Sequence, residues 1–128
     1  MAAPETVWSI LADTSRWSEW NAGVRAIALE GPFATGSWFR MTLPDGEEIR
    51  SQLVAVEAPE CFVDETWIEQ TVVRVTHTVG ATASGGSRVV FAIAVEGPDA
   101  AAVGEGVSAD FPDVLRALAA FAERRLEG

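Results

Sequence analysis

Pro4-Glu5-Thr6-Val7-Trp8-Ser9-Ile10-Leu11-Ala12-Asp13, followed by Trp17-Ser18-Glu19-Trp20-Asn21, carries three of the five tryptophans of the chain. Apolar residues at 7, 8, 10, 11 and 12 fall on one broad helical face. Pro4 suits the first turn, where its missing N–H costs nothing. Asp13, Thr14 and Ser15 offer side-chain caps to a second, very short helix bearing Trp17 and Trp20. A helix that short is not stable alone. Its two large indoles must lie against an apolar surface, either a packed core or the mouth of a cavity.

Working outward, residues 24–30 read as a strand closed by Gly31-Pro32. Residues 37–43 follow, with Phe39, Met41 and Leu43 alternating against Trp38, Arg40 and Thr42. Pro44-Asp45-Gly46 is a turn, since Pro presets φ and Gly accepts a positive one. Residues 48–57 return, with Ile49, Leu53 and Ala55 on one face, and Ala58-Pro59 breaks that strand. Residues 61–67 and 72–79 form the next pair, the latter alternating Val73, Val75, His77 and Val79 against Val72, Arg74, Thr76 and Thr78. Ser84-Gly85-Gly86-Ser87 is a hairpin turn into a last strand, residues 88–96. Short loops between consecutive strands imply an antiparallel meander. Beyond Gly97-Pro98, residues 99–103 predict a helical turn weakened by Gly104 and Gly106. Asp110 then leads a long helix over residues 111–126, with Pro112 at its start and Arg124 and Arg125 near its end. Phe111, Leu115, Leu118, Phe121 and Ala122 form its apolar face. The whole predicts one α+β domain over residues 1–128, in which the last helix covers one face of the sheet.

The 128 residues are 48% hydrophobic, and a chain of this size buries enough surface for a real core. A net charge of −10, with nine Arg and no Lys, argues against nucleic acid and anionic membranes as partners. No apolar run reaches the length of a membrane span and no leader pattern opens the chain, so a cytoplasmic protein is the expectation. The lack of Lys and Tyr beside abundant Ala, Gly and Val suggests codon bias in a GC-rich bacterial genome. One cysteine, Cys61, and one histidine, His77, leave no disulfide and no Cys/His zinc cluster. No Gly-rich phosphate loop or nucleophile elbow is present. Neither a cofactor nor a metal is expected.

The segments just quoted, with Gly36-Ser37-Trp38, Thr76-His77-Thr78-Val79, Gly85-Gly86-Ser87-Arg88-Val89 and Asp110-Phe111-Pro112, resemble the START-related, pollen-allergen-like superfamily, most closely its polyketide cyclase/dehydrase and lipid transport family. The resemblance covers nearly the whole chain. It implies a helix-grip fold: a curved antiparallel sheet wrapped around a long C-terminal helix, with two short N-terminal helices and a cavity between sheet and helix. The family normally has a strand before the first helix. This chain begins at that helix, so the expectation is either a start codon assigned late or a sheet of about six strands with an open edge. An open edge predicts pairing into a homodimer.

Cavities of this kind are mostly apolar, with a few polar groups that orient the ligand. The candidate ligand-binding residues are Trp20, Phe39, Met41, Ile49, Trp67, Val75, His77, Phe91, Phe111, Leu115 and Leu118, with Leu53, Val73, Ile93 and Phe121 on the same faces. The alternation does not settle which way Trp67 points. Nor does it distinguish a filled core from a hollow one. Trp8 and Trp17 read as scaffold. His77 is either a general acid/base or a structural imidazole bonded to a neighbour. Its partner across the hairpin is Asp64 or Glu65, one facing inward and the other outward. Arg40 and Arg50 are either ligand-carboxylate contacts or surface ion pairs. Cys61 reads as a small buried hydrophobe.

Three functions follow. The preferred one is binding of a small hydrophobic, polyketide- or lipid-like molecule. The second is a cyclase or dehydratase in which His77 moves protons. The third is an interaction domain resembling the co-chaperone activators of the same superfamily.

Overall fold

The computed structural model describes residues 2–127, with side chains through Arg124, so the Arg125 charge expected in the last helical turn lies outside the described side chains. Helix α1 (Pro4–Ala12) begins with Pro at its first turn and buries Val7, Ile10 and Leu11. A 3₁₀ helix, Thr14–Glu19, follows at once. Its expected side-chain cap is absent: the Asp13 carboxylate instead accepts a hydrogen bond from Ser15 Oγ at 2.7 Å. Six strands come next: β1 (Ala26–Glu30), β2 (Trp38–Thr42), β3 (Glu48–Glu57), β4 (Cys61–Ile68), β5 (Thr71–Ala81) and β6 (Ser87–Glu96). They pair antiparallel in chain order, which leaves β1 and β6 at the edges of a six-stranded meander. Helices α2 (Ala100–Ser108) and α3 (Phe111–Glu127) close the chain, and α3 lies against the inner face of the curved sheet. This is the helix-grip arrangement.

Two corrections concern local structure. The single helical turn expected after Pro98 is a nine-residue helix that runs through both glycines. Gly104 faces the sheet: a Cβ there would stand in van der Waals contact with Val95 Cγ2, at 3.4 Å, where α2 rests on β6. The inward row of β3 also changes phase. Leu53 pairs with Asp64, but Ala55 pairs with Val63 and Val56 with Phe62. The resulting bulge turns Val56, not Ala55, onto the core.

The core occupies one half of the inner face. Leu11, Leu53, Phe62 and Leu118 are almost wholly buried there, in a cluster that includes Phe39, Val79, Phe121 and Ala122 and extends to Trp17, Trp20, Val24 and Val114. Phe62 is the aromatic centre. Trp8 meets it edge-on at 5.9 Å, Phe33 edge-on at 5.2 Å, Trp17 at a tilt at 6.4 Å, and His77 stacks flat on it at 4.0 Å. Trp8 and Trp17 are thus scaffold, tying the N-terminal helices to the sheet.

The two neighbouring indoles differ in one respect. Trp17 Nε1 donates to the Leu11 carbonyl at 2.8 Å, whereas buried Trp20 Nε1 has no hydrogen-bond partner among the described residues. Trp17→Phe therefore strands a buried carbonyl as well as losing volume, while Trp20→Phe removes an N–H that is already unsatisfied. Urea unfolding is expected to show Trp17→Phe less stable than Trp20→Phe by about 1–3 kcal/mol. Equal losses would contradict this account of the two indoles.

Candidate functional site

The other half of the inner face is hollow. A cavity of about 490 Å³ lies between the sheet, the 3₁₀ segment and the junction of α2 with α3. That size falls within the roughly 300–1,000 Å³ of small-molecule sites. Trp17, Trp20 and Val24 form one wall, and Val107, Phe111 and Val114 form the opposite one. The sheet supplies Met41, Ile49, Val73, Val75 and Phe91. Exposed Glu47, Ile68 and Asp110 stand at the rim.

Of the candidates, Trp20, Met41, Ile49, Val75, His77, Phe91 and Phe111 line this cavity, as does Val73. Four do not. Phe39 faces inward but is packed into the core. Trp67 points outward and is 59% exposed, because Asp64 and Thr66 take the inward positions of β4 and adjacent side chains alternate. Leu115 and Leu118 lie further along the helix than Phe111 and Val114. They line a separate hollow of about 330 Å³ with Ala2, Val7 and the β5–β6 turn, and Leu118 is also core. Leu53 and Phe121 likewise belong to the core. Trp17 is both scaffold and cavity wall.

The floor is polar. Ser51 on β3 and Thr66 on β4 are register partners, and their buried hydroxyls hydrogen-bond to each other. Asp64 is the inward carboxylate, while Glu65 turns outward to pair with Arg74. His77 lies beside Asp64, with Nε2 at 3.8 Å from Oδ2. The His77 ring is held between Phe62, stacked on it, and Phe91, edge-on at 4.6 Å. His77 Nδ1 lies 3.3 Å from the Phe62 carbonyl. A carbonyl only accepts, so this contact places the proton on Nδ1 and leaves the Nε2 lone pair toward Asp64.

Burial governs both ionisations. It pushes the Asp64 carboxyl up from 3.8 to about 7. It pushes His77 down from 6.5 to about 4, against a smaller upward pull from the Phe62 carbonyl. Near neutral pH the imidazole is uncharged and the carboxyl is the group that exchanges a proton.

Arg40 and Arg50 are register partners on the outer face, away from the cavity. Arg50 lies over the Trp38 ring at 4.5 Å and near Glu30 at 3.5 Å, a surface arrangement. Cys61 is a half-buried free thiol at the start of β4. Among the described residues, no three His, Cys, Asp or Glu side chains gather as a metal site. Ser51, Thr66 and Val114 carry no recognisable signal in the sequence. Ile68 and Trp67, of opposite parity, make both faces of β4 look apolar.

The family model described as polyketide cyclase / dehydrase and lipid transport matches residues 1–123. A search of curated proteins finds no match. Solved structures with the same fold include protein MLL2253 from Mesorhizobium loti (TM-score 0.80, 19% identity, 96% of this chain and 90% of that one). Another is the hypothetical protein jhp0584 from Helicobacter pylori (TM-score 0.79, 15% identity, 94% and 81%). A third is the di-domain ARO/CYC StfQ from the steffimycin biosynthetic pathway (TM-score 0.72, 21% identity, 99% of this chain but 49% of that one). At such identities these likenesses show the fold alone.

The two shifted groups act oppositely on stability. Folded Asp64 keeps its proton to about pH 7, so its contribution is present below pH 3.8 and lost as pH rises through 7. The contribution of His77 is present above pH 6.5 and lost as pH falls toward 4. Asp64→Asn removes the first effect. Relative to the parent, the variant is expected to gain up to about 4 kcal/mol between pH 4 and pH 8. Urea unfolding at both pH values measures this, and a pH-independent difference would contradict the buried-carboxyl assignment.

Proposed function

We propose that this chain, which belongs to the polyketide cyclase/dehydrase and lipid transport family, binds a small hydrophobic molecule in its cavity of about 490 Å³. The observation that carries this reading is the contrast between apolar walls and a polar floor. Affinity comes from apolar ligand surface leaving water, at about 2.5 kcal/mol per 100 Å². Orientation comes from the Ser51 and Thr66 hydroxyls and the Asp64 carboxyl.

One observation favours an enzyme of cyclase or dehydratase type as a second reading: Asp64 and His77 stand side by side on the cavity floor. In that reading Asp64, not His77 as expected from sequence, is the proton-transfer group at neutral pH, because its ionisation lies near the working pH. His77 is then a neutral acceptor whose orientation the Phe62 carbonyl fixes.

A neutral fluorescent probe, N-phenylnaphthylamine, tests the binding reading. Val75→Phe places a larger ring inside the cavity and is expected to weaken probe binding about tenfold or more. Leu115→Ala, outside the cavity, is expected to leave it unchanged. If Val75→Phe binds the probe as well as the parent does, the cavity is not the site. Native mass spectrometry of protein from its own host is expected to show a retained apolar ligand.

A further inference from the structure

The charges around the cavity are all of one sign. Among the described residues Glu47, Asp64 and Asp110 line it and no Arg does, and the chain has no Lys. His77 is the remaining ionisable group there, and burial holds it neutral. Asp64 is about nine-tenths buried, faces the cavity, and accepts no hydrogen bond among the described residues. Its 3.8 Å separation from His77 Nε2 is too long for one. Trp17, Trp20, Phe91 and Phe111 provide the surrounding aromatic surface.

We infer that the cavity selects organic cations: hydrophobic molecules bearing a protonated amine that pairs with the Asp64 carboxylate. This rests on the reading of the cavity as a ligand site and adds the ligand class. A buried carboxylate without a partner is costly, and a cation removes that cost. Aromatic faces attract cations, most strongly where water is excluded. The exposed carboxylates Glu47 and Asp110 at the rim, on a chain of net charge −10, raise the local concentration of cations. A ligand with an anionic head meets three carboxylates and no guanidinium. A neutral alcohol reaches the Ser51–Thr66 pair and can donate a hydrogen bond to Asp64, but brings no positive charge to offset the buried carboxylate.

Binding is also linked to a proton. The amine arrives already charged, so the carboxyl must ionise to pair with it, and its proton leaves to solvent. With Asp64 near 7, about half a proton is released per amine bound at pH 7.

Three isosteric probes decide the matter by titration calorimetry at pH 7: naphthylmethylamine, naphthylmethanol and naphthoate, each in phosphate and in Tris to count protons. The amine is expected to bind at least about tenfold tighter than the alcohol. The naphthoate is expected to bind weakest, and only the amine to release a proton. Asp64→Asn is expected to abolish both the preference for the amine over the alcohol and the proton release. Alcohol and amine binding alike to the parent protein, without proton release, would overturn the cation inference and leave the cavity reading standing. So would a preference for the amine that survives Asp64→Asn. Failure of all three probes to bind would bring down both readings.

Discussion

His77 and Phe62 face each other across β4 and β5, and their contact organises the inner surface of the sheet. The rings stack flat, while His77 Nδ1 is engaged by the Phe62 backbone carbonyl. On one side, Phe62 gathers Trp8, Trp17 and Phe33, and so attaches the N-terminal helices to the strands. On the other side, the imidazole presents Nε2 to Asp64 at the cavity floor. One residue pair therefore stands at the border between the packed half of the domain and the hollow half. Its geometry sets both the rigidity of the scaffold and the tautomer of the only histidine.

The division of a single sheet face into core and cavity has a local cause on each element. On β3, the bulge after Leu53 brings Val56 onto the core side, while Ile49 and Ser51 remain with the cavity. On β4, Phe62 belongs to the core, whereas Asp64 and Thr66 form the polar floor. On α3, Phe111 lines the cavity, Val114 borders both cavity and core, and Leu118, Phe121 and Ala122 belong to the core. The long helix thus bridges the two regions.

Charge is sorted by face. Arg40, Arg50 and Arg74 all lie on the outer surface, where Arg50 and Arg74 meet Glu30 and Glu65. Within the inner face of the sheet stand the Asp64 carboxyl and the neutral His77 imidazole, both shifted by burial. The low polarity that gives an apolar ligand its affinity also makes an unpaired charge expensive. The same walls therefore govern both the size of the ligand and the ionisation of the group it meets.

Strand order, the two N-terminal helical segments and the closing helix were legible in the sequence, because alternation and helical spacing are local properties of the chain. The inward parity of β2 and β5 was equally legible, through Met41, Val73, Val75 and His77. That of β4 was not, since Val63 and Trp67 on one parity balance Phe62 and Ile68 on the other. Parity also says nothing of depth: Phe39 and Met41 share a face, yet one is core and the other lines the cavity. The sequence by itself thus determined the fold class and the faces of most elements. Only the tertiary structure decided which inward residues border empty space, that Asp64 rather than Glu65 points into it, and that Leu115 and Leu118 lie elsewhere. Those outcomes depend on how elements distant in the chain are spaced against one another, and no local pattern encodes that spacing.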